Sequence, residues 1–331
     1  MSLNEFDLIK GYFKSKSAAV DNDVCIGIGD DCAILDVPDG YQLAVSTDTL
    51  VSGVHFFTDV DPYRLGYKAL AVNLSDLAAM GAMPKWISLA ITLPEIDETW
   101  VSEFSRGFFE LANKYKVSLV GGDTTKGPLS ITVSVKGLIP RGVALRRDNA
   151  SDGDLICVSG CLGDGALGLE SKLKDIPLND RAYFIDALEL TDPQIKLGIL
   201  LRDLASSCMD ISDGLTQDLK HILKASLCAA KIELEKLPLS AALKTEVAKG
   251  NITEQQALQF ALTGGDDYEL LFTIAADKLP ILEKLIADYN INISVVGTIY
   301  KNKQPIIELF DNHKLVSFSQ EGWDHFQQGK Q

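Results

Sequence analysis

Among the places where aspartate stands beside glycine, serine or threonine in the 331-residue chain, five short stretches could do chemistry together. They are Gly27-Ile28-Gly29-Asp30-Asp31, Ser46-Thr47-Asp48-Thr49, Gly121-Gly122-Asp123-Thr124, Asp210-Ile211-Ser212-Asp213-Gly214 and Gly264-Gly265-Asp266-Asp267. A further carboxylate, Asp76, interrupts the apolar run Leu74 to Ala82. Side-by-side carboxylates in a partly closed site raise each other's pKa unless a cation neutralises them. Asp is a short, hard oxygen ligand, and Mg²⁺ is the hard cation that keeps room for phosphate. Any one Asp-Gly turn is more often a turn or a helix cap than a metal site. The set reads differently, as turns converging on a polynuclear metal–phosphate site. Several Mg²⁺ ions there would neutralise an anionic donor and an anionic acceptor together and stabilise a transferring phosphoryl group.

Several other nucleotide-handling solutions are absent. The chain has no G-x-x-x-x-G-K-[ST] loop, no H-E-x-x-H, no G-x-S-x-G elbow and no H-R-D with D-F-G pair. No compelling nucleophile stands out. The six cysteines form no C-x-x-C pair, and with four histidines they read as small buried hydrophobes and not as a zinc site. A net charge of −15 argues against nucleic acid or an anionic membrane as partner. It leaves a phosphorylated substrate open, because bound Mg²⁺ reverses the local sign.

The elements that must position these residues are legible in outline. Asn4 to Phe13 reads as a short capped helix. Gln42 to Ser46 reads as a strand delivering Thr47 and Asp48 at its end, and Leu50 to Val60 as a loop with His55. Asp61-Pro62 caps and starts a helix running to about Met80. Asn73 and Asp76 share one of its faces. Trp86 to Leu93 is a strand. Asp97 to Lys116 is a helix with Trp100, Phe104, Phe108 and Leu111 on one stripe. Val117 to Val120 is a strand ending at Gly121-Gly122-Asp123, and Ser130 to Leu138 is a half-buried strand. The glycines at 160, 163, 165 and 168 read as a tight strand–helix turn rather than a phosphate cradle. Strands at Asp154 to Ser159, Ser207 to Met209, Glu269 to Ile274 and Ile293 to Ile299 alternate with helices beyond them.

The length favours two domains, and turn and charge signals at Pro140 to Gly153 place the junction. The expected division is 1–145 and 146–331. The fold class is α+β, mixed α/β: an N-terminal mixed sheet with helices, then a C-terminal α/β domain. No apolar run is long enough to span a membrane, and the first residues lack signal-peptide character, so a cytoplasmic protein is expected.

These stretches, with Lys68 to Ala82, Gly264 to Leu270 and the closing Gly322-Trp323-Asp324-His325-Phe326, resemble the thiamine-monophosphate kinase family in order along essentially the whole chain. The resemblance implies the two-domain aminoimidazole ribonucleotide synthetase-like fold and a homodimer whose N-terminal sheets meet. It implies ATP-dependent phosphorylation of thiamine monophosphate to thiamine diphosphate, the last step in making that cofactor, by direct in-line transfer without a phosphoenzyme. Carried over by residue, Asp31, Ser46, Thr47, Asp48, Asp76, Asp123, Asp210 and Asp213 are Mg²⁺ positions. Gly122, Asp123, Arg147 and Ser212 are ATP contacts, and His55, Asp266 and Trp323 are substrate contacts. Taken alone, Arg147 reads as a solvated charge, His55 as a loop histidine and Trp323 as a packing anchor. Two alternatives stand beside this reading. One is another ATP-dependent activity of the superfamily, of the aminoimidazole ribonucleotide synthetase kind. The other is a non-catalytic nucleotide or metal sensor.

Overall fold

The structure, a computed structural model, describes residues 9–16 and 23–318. Contacts divide them into two units. One runs to Leu77 and again over Ala82–Ala144, and the other comprises Ala78–Gly81 and the residues from Leu145 on.

The first unit is built on β1 (Val24–Ile26), β2 (Ile34–Leu35), β3 (Tyr41–Val51), α1 (Pro62–Ala79), β4 (Met83–Leu93), α2 (Glu98–Lys114), β5 (Ser118–Lys126) and β6 (Ser130–Pro140). Four strands form a mixed sheet in the order β3-β6-β4-β5, antiparallel except for the parallel pair β4 and β5. Helix α2 links those parallel strands, as a parallel pair requires a crossover. Asp61 caps α1 by accepting the N–H groups of Tyr63 and Arg64 at 2.9 and 3.2 Å, and Asp97 caps α2 through Thr99 and Trp100. The expected aromatic stripe of α2 is in the core: Phe104 and Phe108 are fully buried and stack in series with Trp100. The two helices touch backbone to backbone. A Cβ at Gly66 would lie 2.0 Å from the Phe104 carbonyl oxygen, and one at Gly107 would lie 1.9 Å from that of Tyr63.

Two strands run on through candidate site residues that the sequence reading places at or beyond their ends. β3 runs eleven residues through Ser46-Thr47-Asp48-Thr49 to Val51, because every one of its residues faces a partner on β6. Thr47 and Asp48 therefore sit within a strand and not at its end. β5 continues through Gly121-Gly122-Asp123 to Lys126 for the same reason, paired along β4. At the chain start the described part of the expected helix is one turn of π-helix, Ile9–Lys14, and its cap Asn4 lies outside the described residues.

The second unit comprises β7 (Leu155–Ser159), α3 (Asp164–Lys174), α4 (Arg181–Glu189), α5 (Ile195–Leu201), β8 (Ala205–Asp210), α6 (Leu215–Ser226), β9 (Cys228–Glu233), α7 (Ala241–Ala248), α8 (Glu254–Thr263), β10 (Leu270–Ile274), α9 (Leu279–Ile286), β11 (Ile293–Lys301), β12 (Ile307–Asp311) and β13 (Lys314–Val316). Its seven strands run β13-β12-β9-β11-β7-β10-β8, antiparallel except for β9 with β12. Ile156 and Val158 of β7, Leu219 and Ile222 of α6, and Leu271 of β10 are fully buried in its main core. Thr253 and Gln256 close a reciprocal capping box at the start of α8. Among the described residues no helix is long and apolar enough to cross a membrane.

Candidate active site

In the first unit the pleat of β3 sorts the candidate residues. Side chains alternate between faces along a strand. Ser46 and Asp48 therefore share the face of buried Leu50, and α1 lies over them. The Asp48 N–H donates to Asn73 Oδ1 at 3.0 Å, and the Ser46 hydroxyl donates to Asp76 Oδ2. Asn73 is 1% exposed and holds its own orientation by donating to the Ala69 carbonyl at 3.0 Å. Two residues spaced for one strand face thus meet two residues spaced for one helix face. Burial, then the charge of Asp76, pushes the Asp48 carboxyl up to about 6. Beyond the strand, His55 Nδ1 accepts the Val51 N–H at 3.0 Å, which puts the ring proton on Nε2.

Thr47 and Asp123 belong to the opposite, open face. Thr49 pairs with Thr132, Thr132 with Ala90, and Ala90 with Asp123, and residues directly paired share a face. Three strand spacings separate β3 from β5, roughly 14 Å. Gly122 leaves no room for a side chain, since a Cβ there would lie 1.8 Å from the Leu89 carbonyl oxygen. Asp31 is exposed in its turn, with its N–H donating to Asp30 Oδ1 at 3.0 Å.

In the second unit two of the aspartate turns are stitched into one. Asp210 closes β8 and is 5% exposed. The Ile211 N–H donates to the Glu269 carbonyl at 2.8 Å, the Tyr268 N–H to the Ile211 carbonyl at 2.8 Å, and the Asp266 N–H to the Ser212 carbonyl at 3.0 Å. Asp266 itself sits in the left-handed region, with φ of 66°. Asp218 of α6 accepts the N–H groups of Ser212 and Asp213, and Gln217 donates to Asp213 Oδ2 at 3.4 Å. The Asp218 carboxyl is pushed up to about 8, chiefly by burial. Arg147 is exposed, and its carbonyl accepts the Ser226 hydroxyl at 2.9 Å.

A cavity of about 400 Å³ opens beside Asp266, with Asp164, Tyr183, Asp192, Asp267 and Glu269 in its wall. Burial raises the carboxyl groups of Asp267 and Glu269, the latter to about 7. Both Asp267 oxygens accept the Gly163 N–H at the start of α3, at 3.0 and 3.1 Å. An internal carboxylate thus fills the place where the glycine-rich turn at 160–168 could have held phosphate.

The structure therefore brings Ser46, Asp48 and Asp76 together in one unit, and Asp210, Ser212, Asp213 and Asp266 in the other. It leaves Thr47 and Asp123 on the open face, and Trp323 lies outside the described residues. Among the described residues no three His, Cys, Asp or Glu side chains form a ready metal cluster. The sequence reading did not single out Asn73, Asp164, Asp218 or Glu269 as site residues. Asn73 had a signal in its spacing from Asp76, and Asp164 in its place between Gly163 and Gly165.

The family model described as AIR synthase related protein, N-terminal domain, matches residues 29–139, and the corresponding C-terminal domain matches residues 151–309. These paired domains define the class, an AIR synthase related protein. Within it, thiamine-monophosphate kinase of Escherichia coli (strain K12) is 46% identical over 330 residues, covering 98% of this chain and 99% of that protein. The Haemophilus influenzae enzyme of the same name is 44% identical with full coverage of both. The crystal structure of thiamine-monophosphate kinase from Stenotrophomonas maltophilia K279a superposes with a TM-score of 0.85 at 41% identity, over 96% of this chain and 99% of that one. AaThiL complexed with AMPPCP and TMP gives a TM-score of 0.75 at 32% identity, over 98% and 99%. The chain belongs to the thiamine-monophosphate kinase family.

Proposed function

We propose that this chain transfers the γ-phosphoryl group of ATP to the phosphate of thiamine monophosphate, releasing thiamine diphosphate and ADP. One observation carries the reading: the 46% identity with the Escherichia coli enzyme runs end to end, over 98% of this chain. A 32% identical relative of the same fold is known as a complex with AMPPCP and TMP. These relatives favour the kinase over a purine-type synthetase or a sensor.

The donor chemistry fits Mg²⁺. Asp48 and Asp76 are two carboxylates in a partly buried place, and the raised Asp48 carboxyl reflects burial and repulsion that a hard cation relieves. Asp31, Ser46, Thr47, Asp48, Asp76, Asp123, Asp210 and Asp213 are the residues that would hold several such ions, with water and phosphate oxygens completing each shell. Bound metal supplies neutralisation of the phosphate charges on donor and acceptor.

The chain's own groups supply position. Gly122, Asp123, Arg147 and Ser212 contact ATP, with the Arg147 fork complementing phosphate. His55 offers its Nε2–H and Asp266 its negative charge to the thiamine substrate, and Trp323 a flat face for its cationic ring. No general base is required, because a phosphate monoester is already anionic at neutral pH. An acceptor oxygen attacks the γ-phosphorus in line, the bond to the β–γ bridging oxygen breaks, and ADP leaves. Direct transfer suits the buried Cys157, whose thiol burial pushes up to about 12 and so keeps un-ionised. We further read the enzyme as a cytoplasmic homodimer, the open face of the first unit's sheet being covered by a second copy.

The test is a chromatographic assay of purified protein with ATP, Mg²⁺ and thiamine monophosphate, with free thiamine and aminoimidazole precursors as controls. Thiamine diphosphate formed in step with ADP, and not from free thiamine, is expected. ATP binding with no phosphorylated thiamine product would overturn the reading.

A further inference from the structure

Three consecutive amide donors follow β8, and all three are taken within the protein. The Ile211 N–H goes to the Glu269 carbonyl at 2.8 Å. The Ser212 and Asp213 N–H groups both go to a single oxygen, Asp218 Oδ2, at 3.0 and 3.1 Å. Successive N–H groups in a turn ordinarily make a concave nest for an anion. Here each N–H has one proton and one internal acceptor, so none is left for a phosphate. What the turn still offers a ligand is oxygen, from the side chains of Asp210, Ser212 and Asp213. Asp218 is 2% exposed and lies one turn into α6, with Leu215 and Leu219 of the same helix fully buried.

We infer that Asp218 is a positioning residue that occupies the Ser212 and Asp213 amides, and so sets the Asp210–Gly214 turn as an oxygen-presenting, cation-facing loop instead of an anion nest. The inference rests on the reading above that Asp210 and Asp213 hold a divalent cation. Deleting the carboxylate would free two N–H donors within reach of the turn's own oxygens and of phosphate. The turn would relax toward the anion-binding form and its carboxylates would lose their shared orientation.

The test compares Asp218→Ala with Asp218→Asn. The asparagine carbonyl oxygen replaces the single accepting oxygen without the charge. The probe is Mn²⁺, with free ion counted by electron paramagnetic resonance, in the presence of a non-hydrolysable ATP analogue. Kinetics in Mg²⁺ and thermal unfolding without ligand accompany it. Asp218→Ala is expected to weaken Mn²⁺ binding and raise the half-saturating Mg²⁺ at least tenfold, while KM for thiamine monophosphate stays within twofold. Asp218→Asn is expected within threefold of wild type on every count. If Asp218→Ala does not fold, Asp218→Ser, too short to reach both amides, is read by the same criteria. Wild-type Mn²⁺ affinity in the alanine variant overturns the inference. So does a folded asparagine variant as damaged as alanine, since the charge itself would then be the working part. A wild-type protein that fails to phosphorylate thiamine monophosphate sinks only the functional reading, because Mn²⁺ binding needs no acceptor and still decides the role of Asp218.

Discussion

Asp48 illustrates how one residue carries two opposed demands. Its backbone is fixed by Asn73, while burial and then the charge of Asp76 favour the proton on its carboxyl until a cation arrives. Asp48→Asn keeps the shape and the amide bond but removes a hard ligand. Turnover is expected to fall at least about a hundredfold, a loss comparable to that for a metal's outer partners or larger, while the unfolding temperature holds or rises. Near-normal activity at saturating Mg²⁺ would remove Asp48 from the metal set. Glu269 makes the complementary case for stability. Its carboxyl titrates near 7 in the folded chain against 4.5 as the ordinary value. A raised acid pKa means that the unfolded chain releases its proton first. Stability is therefore fully present below pH 4.5 and is lost as pH climbs toward 7, by at most about 3 kcal/mol for a half-buried group. Glu269→Gln still accepts the Ser159 hydroxyl and cannot ionise. It should match wild type near pH 4 and exceed it at pH 8. Parallel pH profiles for the two proteins would show that Glu269 is not the titrating group.

At the scale of elements, the helix crossing of α1 and α2 decides where Asn73 and Asp76 sit over β3. Gly107→Ala drives a methyl group into the Tyr63 carbonyl, 1.9 Å away, so the helices must separate. Overpacking of this kind costs about 1–3 kcal/mol. Calorimetry should show that loss, with a fall in activity greater than the unfolded fraction explains. An unchanged melting curve would mean that the crossing is softer than its geometry. Elements of this type were legible in the chain because each carries its own punctuation: Asp61-Pro62 and Asp97 mark helix starts that the structure confirms. β9, α7, β12 and β13 were missed, being only three to eight residues long. β3 was cut short because Ser-Thr-Asp-Thr reads as a turn by composition, and only the pairing with β6 extends it. That one error hid the sorting of the site, since Thr47 parts from Ser46 and Asp48 only once the strand is known to continue. The two amides bound by Asp218 left no trace in sequence at all, because a carboxylate five and six residues onward matches no recurring capping pattern.

For the whole molecule, the open sheet face poses the remaining physical question. Leu43 and Val45 on β3 are 43% and 59% exposed, and Thr47 and Thr49 continue the same row. An edge strand of eleven residues with uncovered apolar side chains is a hazard unless another chain covers it. Yet each copy carries a net charge of −15, so two copies repel at long range. A contact between copies at this face would therefore be held by short-range burial, with salt screening the repulsion. In sedimentation velocity the wild type should run at twice the 36.0 kDa chain mass, and more completely at 0.3 M than at 0.02 M salt. Leu43→Lys with Val45→Lys places new charges in the middle of the row and faces them against their own copies. The double variant should run as a monomer at micromolar concentration, melt within a few degrees of wild type as a folded unit, and lose most of its transferase activity. A double variant that stays dimeric would move the interface to another surface. A monomer with full activity would show that one chain alone holds the complete site.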